Sequence, residues 1–384
     1  MYATLTTEER TALVDAVRDF ATARLAPHAA NWDADKHFPV DALQDAGELG
    51  LGGIYVREDV GGSGLSRLDA VAIFEELAKG DTTIAAYISI HNMVAWMIDE
   101  FGDQQQREQW LPGLVAMTDL GSYCLTEPGA GSDAAAITTT ATRDGDEYVL
   151  NGTKQFISGA GTSAVYLVMA RTGASDSGAR GISAILVPAD AAGLSFGPNE
   201  RKMGWNAQPT RQVVFDGVRV PVTNRLSEEG EGFAIAMKGL NGGRVNMGAC
   251  SLGGAQWTLD RAIAYVKDRE AFGAPLAANQ SIMFALADME TDLQAARALL
   301  SRAAAQMDEK SSDAASACAL AKRFATDAGF RVANEALQLH GGYGYLHEYG
   351  IERVVRDLRV HQILEGTNEI MRLIVGRGLL AGAR

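Results

Sequence analysis

The pattern of apolar residues changes at two places, and these changes constrain the fold more than any other feature of the sequence. From Thr6 to about residue 120, apolar residues recur every three or four positions, which predicts amphipathic helices. From Gly121 to about Arg225 short alternating or β-branched runs replace them, and after Gly230 the helical pattern returns. Helices and strands are therefore segregated along the chain. This order predicts an α+β protein and argues against the strand-to-helix alternation of a Rossmann fold.

Caps and breakers set the bounds of the predicted elements. The first part has helices from a Thr6–Glu9 capping box to Pro27, at 39–47, at 67–79 with Ser66 as N-cap, at 82–100, and from Asp103 to near Pro112. After a short strand at Tyr123, the middle part has strands at 137–143, 147–150, 165–171, 183–187 and 212–215, with a hairpin at Asp144-Gly145. Long helices follow at 232–268, 280–307, 313–339 and 367–380. We predict an N-terminal helical domain at 1–120, a middle β domain at 121–230 and a C-terminal helical bundle at 231–384.

The charge and the cysteines argue against several classes of function. A formal net charge of -14 disfavours a nucleic-acid or anionic-membrane surface, because phosphate binding needs a positive field. The three cysteines, Cys124, Cys250 and Cys318, lie far apart and outside any metal-ligand spacing, so neither a disulfide framework nor a metal site is predicted. The acidic N-terminus does not resemble a signal or transit peptide, and no apolar run reaches the roughly 18 residues of a membrane span. We therefore expect a cytoplasmic protein without membrane insertion.

Two glycine-containing segments of the β region are candidate ligand-binding loops. Tyr123 to Asp133, YCLTEPGAGSD, is a short strand followed by a loop that exposes backbone N–H groups and hydroxyls to a planar or anionic ligand. Gly152 to Gly159, GTKQFISG, is a strand that ends in Ser and Gly. Taken alone, a tight turn explains the first segment more simply, and an edge strand with a turn explains the second.

Four segments of the helical part carry further candidates, each with a structural alternative. Arg269 to Gly273 joins a cation to an aromatic ring after a helix, and Gln338 to Tyr345 ends a helix with paired glycines and a histidine; both are compatible with ordinary helix C-termini. Asn241 to Arg244 places two glycines in a helix, where a kink is the simpler account. Glu365, after Ile363-Leu364 and before a Thr/Asn helix start, is either a solvated loop carboxylate or a base that points into a cavity.

In this order, the segments YCLTEPGAGSD, GTKQFISG, NGGR, REAFG, QLHGGYGY and LEGTNE resemble the acyl-CoA dehydrogenase family over essentially the whole chain. The resemblance implies that family's fold, with a β-barrel-like middle domain and a C-terminal four-helix bundle. It also implies a non-covalent FAD, an acyl-CoA substrate, an electron-transferring flavoprotein as electron acceptor, and a homotetramer built as a dimer of dimers. Further segments, among them LSRLDAVAIFEELA, GWNAQPTR and VHQILEGTNEIMR, are similar to the branch that converts isobutyryl-CoA to methacrylyl-CoA in valine breakdown.

The resemblance leaves alternatives open. The same fold could act on 2-methylbutyryl-CoA, on butyryl-CoA or another short straight chain, or react with oxygen as an oxidase. From a different class, the chain could be a non-catalytic scaffold that keeps the fold for assembly.

The resemblance also assigns roles to individual residues. Glu365 would be the base that removes the α-proton, and the acyl-CoA would contact Ser132, Asn241, Gly242, Gly243, Arg244 and Arg377. The FAD would be held by Tyr123, Cys124, Leu125, Thr126, Glu127, Pro128, Gly129, Ala130, Gly131, Ser132, Phe156, Ile157, Ser158, Thr367, Asn368 and Glu369. The FAD of a neighbouring subunit would be reached by Arg269, Phe272, Asn279, Gln280, Gln338, Leu339, His340, Gly341 and Gly342.

Two positions depart from patterns found in the family. In isovaleryl-type relatives the base comes from a bundle helix at the place of Gly243, and glycine cannot be a base. An aromatic residue often precedes the base, and here that residue is Leu364, which could reshape the acyl pocket for a short branched chain. Burial should raise the pKa of Glu365, whereas the N-terminus of the following helix should lower it, and the sequence leaves this balance open.

Overall fold

The computed structural model describes residues 5–382, and its first third is helical. The helices are α1 (Thr7–Phe20), continued by a π-helical turn (Ala21–Leu25), α2 (Ala29–Asp35), α3 (Val40–Glu48), α4 (Arg67–Gly80), α5 (Thr82–Phe101) and α6 (Gln104–Val115). The predicted caps at Thr6, Ser66 and Asp103 are confirmed, and each forms a capping box with the residue three positions later. Helix α6 continues past Pro112 to Val115, and helix α2 was not predicted.

The middle third forms one mixed sheet within the described residues. Its strands are β1 (Gly121–Cys124), β2 (Thr140–Asp144), β3 (Glu147–Ser158), β4 (Val165–Arg171), β5 (Ile182–Pro188), β6 (Leu194–Phe196), β7 (Thr210–Pro221) and β8 (Arg225–Leu226), in the order β6-β7-β3-β2-β4-β5-β8 with β1 parallel to β4. The predicted hairpin at Asp144-Gly145 is confirmed, because β2 and β3 pair from Asp144 opposite Glu147. Strand β3 joins the strand predicted at 147–150 to the one predicted at 152–159, whereas β7 runs well beyond the predicted 212–215, and β6 and β8 were not predicted.

The last third is a bundle of long helices. They are α7 (Gly232–Asp268), α8 (Gln280–Asp308), α9 (Ala314–Leu339), α10 (Ile351–His361) and α11 (Asn368–Leu380), with a short hairpin of β9 (Glu270–Ala271) and β10 (Ala274–Pro275) between α7 and α8. Helix α10 was not predicted. Its buried residues include Ile351, Val354 and Leu358, but Arg353 and Asp357 are buried beside them and obscure the apolar periodicity.

One hydrophobic core joins the N-terminal and C-terminal helices. Buried side chains of α4, α7, α8 and α9, such as Phe74, Leu252, Leu300 and Val332, belong to the same cluster. Helix α7 therefore packs against the bundle on one side and against α4 and α5 on the other. The predicted fold class, a β region between two helical regions, is confirmed. Across residues 5–382, none of the helices combines the length and the apolar character that a membrane crossing requires.

Candidate active site

The carboxylate of Glu365 is buried and has no hydrogen-bond partner in the part of the chain that the structure describes. The residue lies in the loop between α10 and α11, with left-handed backbone at φ 54°, and the following Gly366 has φ 93°. Neither oxygen of the carboxylate is accessible or accepts a hydrogen bond within residues 5–382. The group lies directly on α7, where a Cβ built on Gly243 would come within 2.3 Å of Glu365 Oε2. The sequence left open whether Glu365 is solvated or points inward, and the structure directs its carboxylate inward.

Two buried cations hold the loop that carries Glu365. From α7, Arg244 Nε donates to the backbone oxygen of Glu365 at 3.1 Å, and its Nη1 donates to Asn241 Oδ1 at 2.8 Å. From α9, Lys322 Nζ donates to the backbone oxygen of Gly366 at 2.9 Å and to Asn368 Oδ1 at 3.0 Å. Consecutive carbonyl groups of the loop are therefore fixed from two different helices.

Burial dominates the electrostatics of Glu365. It raises the pKa of the carboxyl group from 4.5 to about 7, although the positive charges of Lys322 and Arg244 act in the opposite direction. Burial therefore outweighs the effects of these two positive charges on the pKa. A carboxyl group whose pKa lies near neutral pH suits proton transfer, because both its charged and its neutral form are accessible.

Further polar groups near Glu365 also lack hydrogen-bond partners in residues 5–382. The hydroxyl of Tyr123 and Nη2 of Arg67 are buried without a hydrogen bond among the described residues. Burial, followed by the charge of Glu365, raises the pKa of the Tyr123 phenol. The guanidinium of Arg67 stacks on the Tyr55 ring, 3.5 Å from its centroid, and a Cβ on Gly242 would come within 2.6 Å of its Nη1. Buried polar atoms are normally hydrogen-bonded, so this concentration of unpaired groups is typical of a ligand-binding site.

A bulge in β3 presents an aromatic ring beside the first candidate loop. The pairing of β3 with β7 is irregular between Lys154 and Ile157, and the inserted Phe156 has φ 59° and is 62% exposed. The adjacent Gln155 N donates to Thr126 O at 2.8 Å, which ties the bulge to the loop. A Cβ on Gly129 or Gly131 would meet no atom within 4 Å, so packing inside the chain does not explain these glycines. The open face of the loop and the exposed ring together suit a planar cofactor.

Glu127 has a different position from its neighbours in the same loop. Its carboxylate accepts hydrogen bonds from Thr138 N at 2.7 Å, Thr139 N at 2.9 Å and Lys154 Nζ at 2.8 Å, and both charged side chains are buried. Burial alone would raise the pKa of Glu127, but Lys154 and the hydrogen bonds outweigh it and lower the pKa to about 2. Glu127 therefore anchors the loop from inside the protein, while Pro128, Gly129, Gly131 and Ser132 are exposed.

A second group of predicted residues lines one cavity. Arg269 and the five residues from Gln338 to Gly342 line a space of about 380 Å³ together with Tyr265, Leu276, Tyr343 and Leu346. His340 ends α9; its Nδ1 lies 2.7 Å from Ala336 O, and its ring stacks on Tyr265. Phe272, at the tip of the β9–β10 hairpin, is fully exposed, and Asn279 caps α8 beside the exposed Gln280. None of the residues that line this cavity belongs to the Glu365 loop.

The other predicted residues have structural roles or are exposed. Thr367 caps α11 by accepting from Ile370 N at 3.3 Å, and Asn368 is buried. Cys124, Leu125, Ala130 and Ile157 are buried, and Ser158 Oγ accepts from Gln208 Nε2 at 3.2 Å. Glu369 and Arg377 are exposed on α11.

Lys322, Tyr55 and Arg67 lie at the site but were not predicted from the sequence. A signal for Lys322 exists in the sequence, because it lies three and four positions after Ala319 and Cys318 and before Ala325 and Thr326, on the buried face of α9. A lysine at a core position of an Ala-rich helix indicates a partner elsewhere in the fold. The sequence contains no comparable signal for Tyr55 and Arg67, which meet only in the tertiary structure.

Comparison with known proteins identifies one family along most of the chain. Residues 7–118, 122–218 and 230–380 match the N-terminal, middle and C-terminal domains of acyl-CoA dehydrogenases. The mitochondrial isobutyryl-CoA dehydrogenase of Dictyostelium discoideum is 55% identical over 373 residues, or 97% of this chain and 89% of that protein. The mitochondrial isobutyryl-CoA dehydrogenase of Bos taurus is 53% identical over 362 residues, or 94% of this chain and 86% of that protein. The structure of butyryl-CoA dehydrogenase from Megasphaera elsdenii matches with a TM-score of 0.94 at 40% identity, covering 99% of this chain and 100% of that chain.

Proposed function

This chain belongs to the acyl-CoA dehydrogenase family and is a flavin-dependent oxidoreductase, and from this premise we propose that it oxidises isobutyryl-CoA to methacrylyl-CoA with Glu365 as the base. The proposed substrate is supported by the relatives at 55% and 53% identity, which are named isobutyryl-CoA dehydrogenases. The proposed base is supported by one observation above all others. Glu365 has a buried carboxylate without a partner among the described residues, and it lies on a glycine of α7.

The chemistry needs a base in a dry site and a donor to the thioester oxygen. The α-hydrogen of an acyl thioester is weakly acidic, and its removal is easier when the developing enolate oxygen is stabilised. Glu365 accepts the α-proton on its carboxylate, and the electrons of that C–H bond become the α,β double bond. The backbone N–H of Glu365, which donates to no acceptor among residues 5–382, is available to the thioester oxygen. FAD, when bound, supplies the acceptor for the β-hydrogen, which leaves as hydride.

A first cluster of predicted residues, formed by Tyr123 to Ser132, Phe156 to Ser158 and Thr367 to Glu369, fits a non-covalent flavin. The exposed Phe156 provides an apolar face, and the N–H groups of Gly129 and Gly131, which donate to no acceptor among the described residues, provide hydrogen-bond donors. Thr367 and Glu369, at the N-terminus of α11, provide a second wall beside the base. We assign FAD to this space.

A second cluster of predicted residues, formed by Arg269, Phe272 and Gln338 to Gly342, fits part of an FAD that belongs to another subunit. Arg269 lines a cavity together with residues from Gln338 to Gly342, and Phe272 stands out from the surface beside them. Tyr343 and Leu346, which line this cavity, are exposed apolar side chains as well, and a group of such side chains is typical of a surface used by a partner. The proposal therefore includes a homotetramer in which this cluster reaches the FAD of a neighbour. It also includes an electron-transferring flavoprotein as the acceptor and a cytoplasmic location.

Leu364 is the residue through which the site would accommodate a branched acyl group. It precedes the base directly and packs, half-buried, against the main hydrophobic core. An aliphatic side chain is narrower than the ring of an aromatic residue at the same place, which leaves width for a methyl branch at the α-carbon. This role of Leu364 is part of the proposal.

Anaerobic reduction of the flavin tests the proposed function. Isobutyryl-CoA should bleach the flavin of the purified holoprotein faster than 2-methylbutyryl-, isovaleryl- or butyryl-CoA, and a preference for butyryl-CoA would overturn the branched-chain assignment. Glu365→Gln should keep the flavin and lose proton abstraction, so near-normal bleaching in that variant excludes Glu365 as the base. A protein that takes up no FAD supports the scaffold instead, and turnover with oxygen alone supports an oxidase.

A further inference from the structure

Lys322 is a fully buried ammonium group without an ion-pair partner among the described residues. It lies in the middle of α9 with no exposed surface, and Nζ donates to Gly366 O and Asn368 Oδ1, at 2.9 Å and 3.0 Å. Lysine is almost never fully buried unless it is paired, because a buried charge loses its hydration. Burial lowers the pKa of Lys322 to about 8, although the nearby charge of Glu365 acts in the opposite direction. Such an arrangement costs stability, which points to a function.

The two acceptors of Lys322 bracket the segment that aims the base. Gly366 follows Glu365 directly, and Asn368 is the first residue of α11. Glu365 has φ 54°, a conformation that costs a residue with a side chain about 1 kcal/mol or more, and it persists only where its surroundings impose it. Arg244 holds the carbonyl of Glu365 from α7, so Lys322 supplies the second hold, from α9. Without it, the peptide after the base would be free to rotate away from Gly243.

Asn368 does not depend on Lys322 for its position. Its Nδ2 donates to Asp327 Oδ1 at 2.7 Å and to Thr326 Oγ1 at 3.0 Å, and both of these residues belong to α9. The start of α11 therefore stays anchored when Lys322 is replaced. Among the described residues, only Lys322 donates a hydrogen bond to the carbonyl of Gly366, next to the base.

We propose, on the basis of the function proposed above, that Lys322 is a positioning residue for Glu365. Its ammonium group holds the Gly366 carbonyl so that the carboxylate lies over Gly243, and its charge favours the ionised form of that carboxylate. Other charged or titratable groups that face Glu365 are Arg244 and Cys250 on α7, Tyr123 on β1, and Tyr55. Lys322 also faces Asp327, His361 and Glu369. Because a substitution of Lys322 leaves all these groups in place, a shift in the pH profile reports on Lys322 itself.

Three variants separate the hydrogen bond from the charge. Lys322→Met removes both the hydrogen-bond donor and the positive charge and keeps a side chain of similar length. Lys322→Gln keeps a donor without the charge, and Lys322→Arg keeps the charge and donors. Lys238→Met removes one positive charge from an exposed position of α7 and is the matched control. The measurements are FAD content, the rate of anaerobic flavin reduction by isobutyryl-CoA between pH 5.5 and 9, and the crystal structure of the holoprotein.

The expected results distinguish positioning from a structural role. Lys322→Met should keep its FAD but reduce the flavin at least tenfold more slowly at pH 7, with the midpoint of the acid limb moved to higher pH. Lys322→Gln should shift the midpoint while losing less rate at high pH, whereas Lys322→Arg and Lys238→Met should keep the wild-type midpoint. An unchanged rate and midpoint in Lys322→Met and Lys322→Gln overturns the proposal.

The crystal structures make the test independent of the substrate. If the wild-type protein prefers another acyl-CoA, the proposed substrate fails, and the same variants are then compared on the acyl-CoA that reduces the flavin. If no acyl-CoA reduces the flavin, the crystal structures alone decide whether Lys322 positions Glu365. A Glu365 carboxylate that stays over Gly243 in Lys322→Met, which has no donor to Gly366, contradicts positioning by Lys322, and a displaced carboxylate supports it. If Lys322→Met does not fold, Lys322→Gln and Lys322→Arg test the charge: equal midpoints contradict the proposal, and a higher midpoint in Lys322→Gln supports it.

Discussion

The carboxylate of Glu365 and the α-carbon of Gly243 are in direct contact: a methyl group on Gly243 would come within 2.3 Å of Oε2 and 2.7 Å of Cδ. Gly243 lies inside α7, where glycine costs roughly 0.5–1 kcal/mol relative to alanine. The close approach of the carboxylate explains this glycine without a kink. A side chain at position 243 of α7 would therefore occupy the same space as the carboxylate that comes from the α10–α11 loop.

Gly243→Ala should abolish most of the activity while leaving the protein folded. The new methyl group forces the carboxylate away from its position, and a displacement of about 1 Å can cost about 100-fold in rate. The measurement is the rate of flavin reduction in protein of normal FAD content. Gly376→Ala is the matched control, because a Cβ there meets no atom within 4 Å. Equal rates for the two variants would show that the carboxylate moves aside without consequence.

Moving the base to α7 should recover part of the activity lost with Glu365. Glycine is well suited to position 365, since φ is 54° there, and its introduction clears the space that a side chain at position 243 needs. The double variant Glu365→Gly with Gly243→Glu should therefore reduce its flavin faster than Glu365→Gly alone. The comparison is made by single-turnover flavin reduction. A double variant no faster than the single one would mean that the site accepts a proton only from the direction of the loop.

The pKa of Glu365 should appear in the stability of the protein as well as in its rate. The folded-state pKa of about 7 lies above the ordinary value of 4.5. The contribution of this group to the free energy of unfolding is therefore full below pH 4.5 and is lost as the pH rises through 7. The difference of about 2.5 between these values, at about 1.36 kcal/mol per unit, limits the loss to on the order of 3 kcal/mol.

Glu365→Gln imitates the protonated acid and should therefore raise the melting temperature more at pH 8 than at pH 4. Glu309→Gln, a change of the same kind at an exposed position, should raise it at neither pH. Differential scanning calorimetry of the holoproteins makes the comparison. If Glu365→Gln raises the melting temperature equally at both pH values, the pKa of Glu365 is not raised in the folded protein.

The order of helical and β regions was predictable because period and composition are local properties. The bounds of β7 were not, because polar residues such as Arg211 and Asp216 interrupt its apolar run, and pairing with β3 keeps the strand extended from Thr210 to Pro221. Lys322 shows the same limitation at the site, since its partners Gly366 and Asn368 are more than 40 positions away. Glu365 was predicted as the base from the motif around it, whereas the lack of a hydrogen-bond partner for its carboxylate within residues 5–382 is a property of the tertiary structure.

Lys154→Met should destabilise the middle domain strongly. It leaves Glu127 as a buried carboxylate without its cation, and breaking a buried pair on one side typically costs about 3–5 kcal/mol. Adding Glu127→Met removes the uncompensated charge, so the double variant should cost less than the sum of the two single variants. Guanidinium unfolding of all four proteins measures the coupling. If the losses in the free energy of unfolding of the two single variants add up to that of the double variant, the two side chains do not act as a pair.

Phe272 should matter to the cofactor of a neighbouring subunit and not to the fold of its own chain. The ring is fully exposed at the tip of the β9–β10 hairpin, so it contributes nothing to the core, and its φ of 54° suits asparagine as a replacement. Phe272→Asn should lower the FAD content after gel filtration, measured as the ratio of flavin to protein absorbance, without changing the circular dichroism. Leu49→Asn, which replaces an apolar side chain that is 49% exposed, is the control and should keep its FAD.

Because the second cluster is proposed to act across a subunit boundary, FAD retention should also fall on dilution, and more steeply for Phe272→Asn than for wild type. FAD content equal to that of wild type at every concentration would place Phe272 outside the cofactor site.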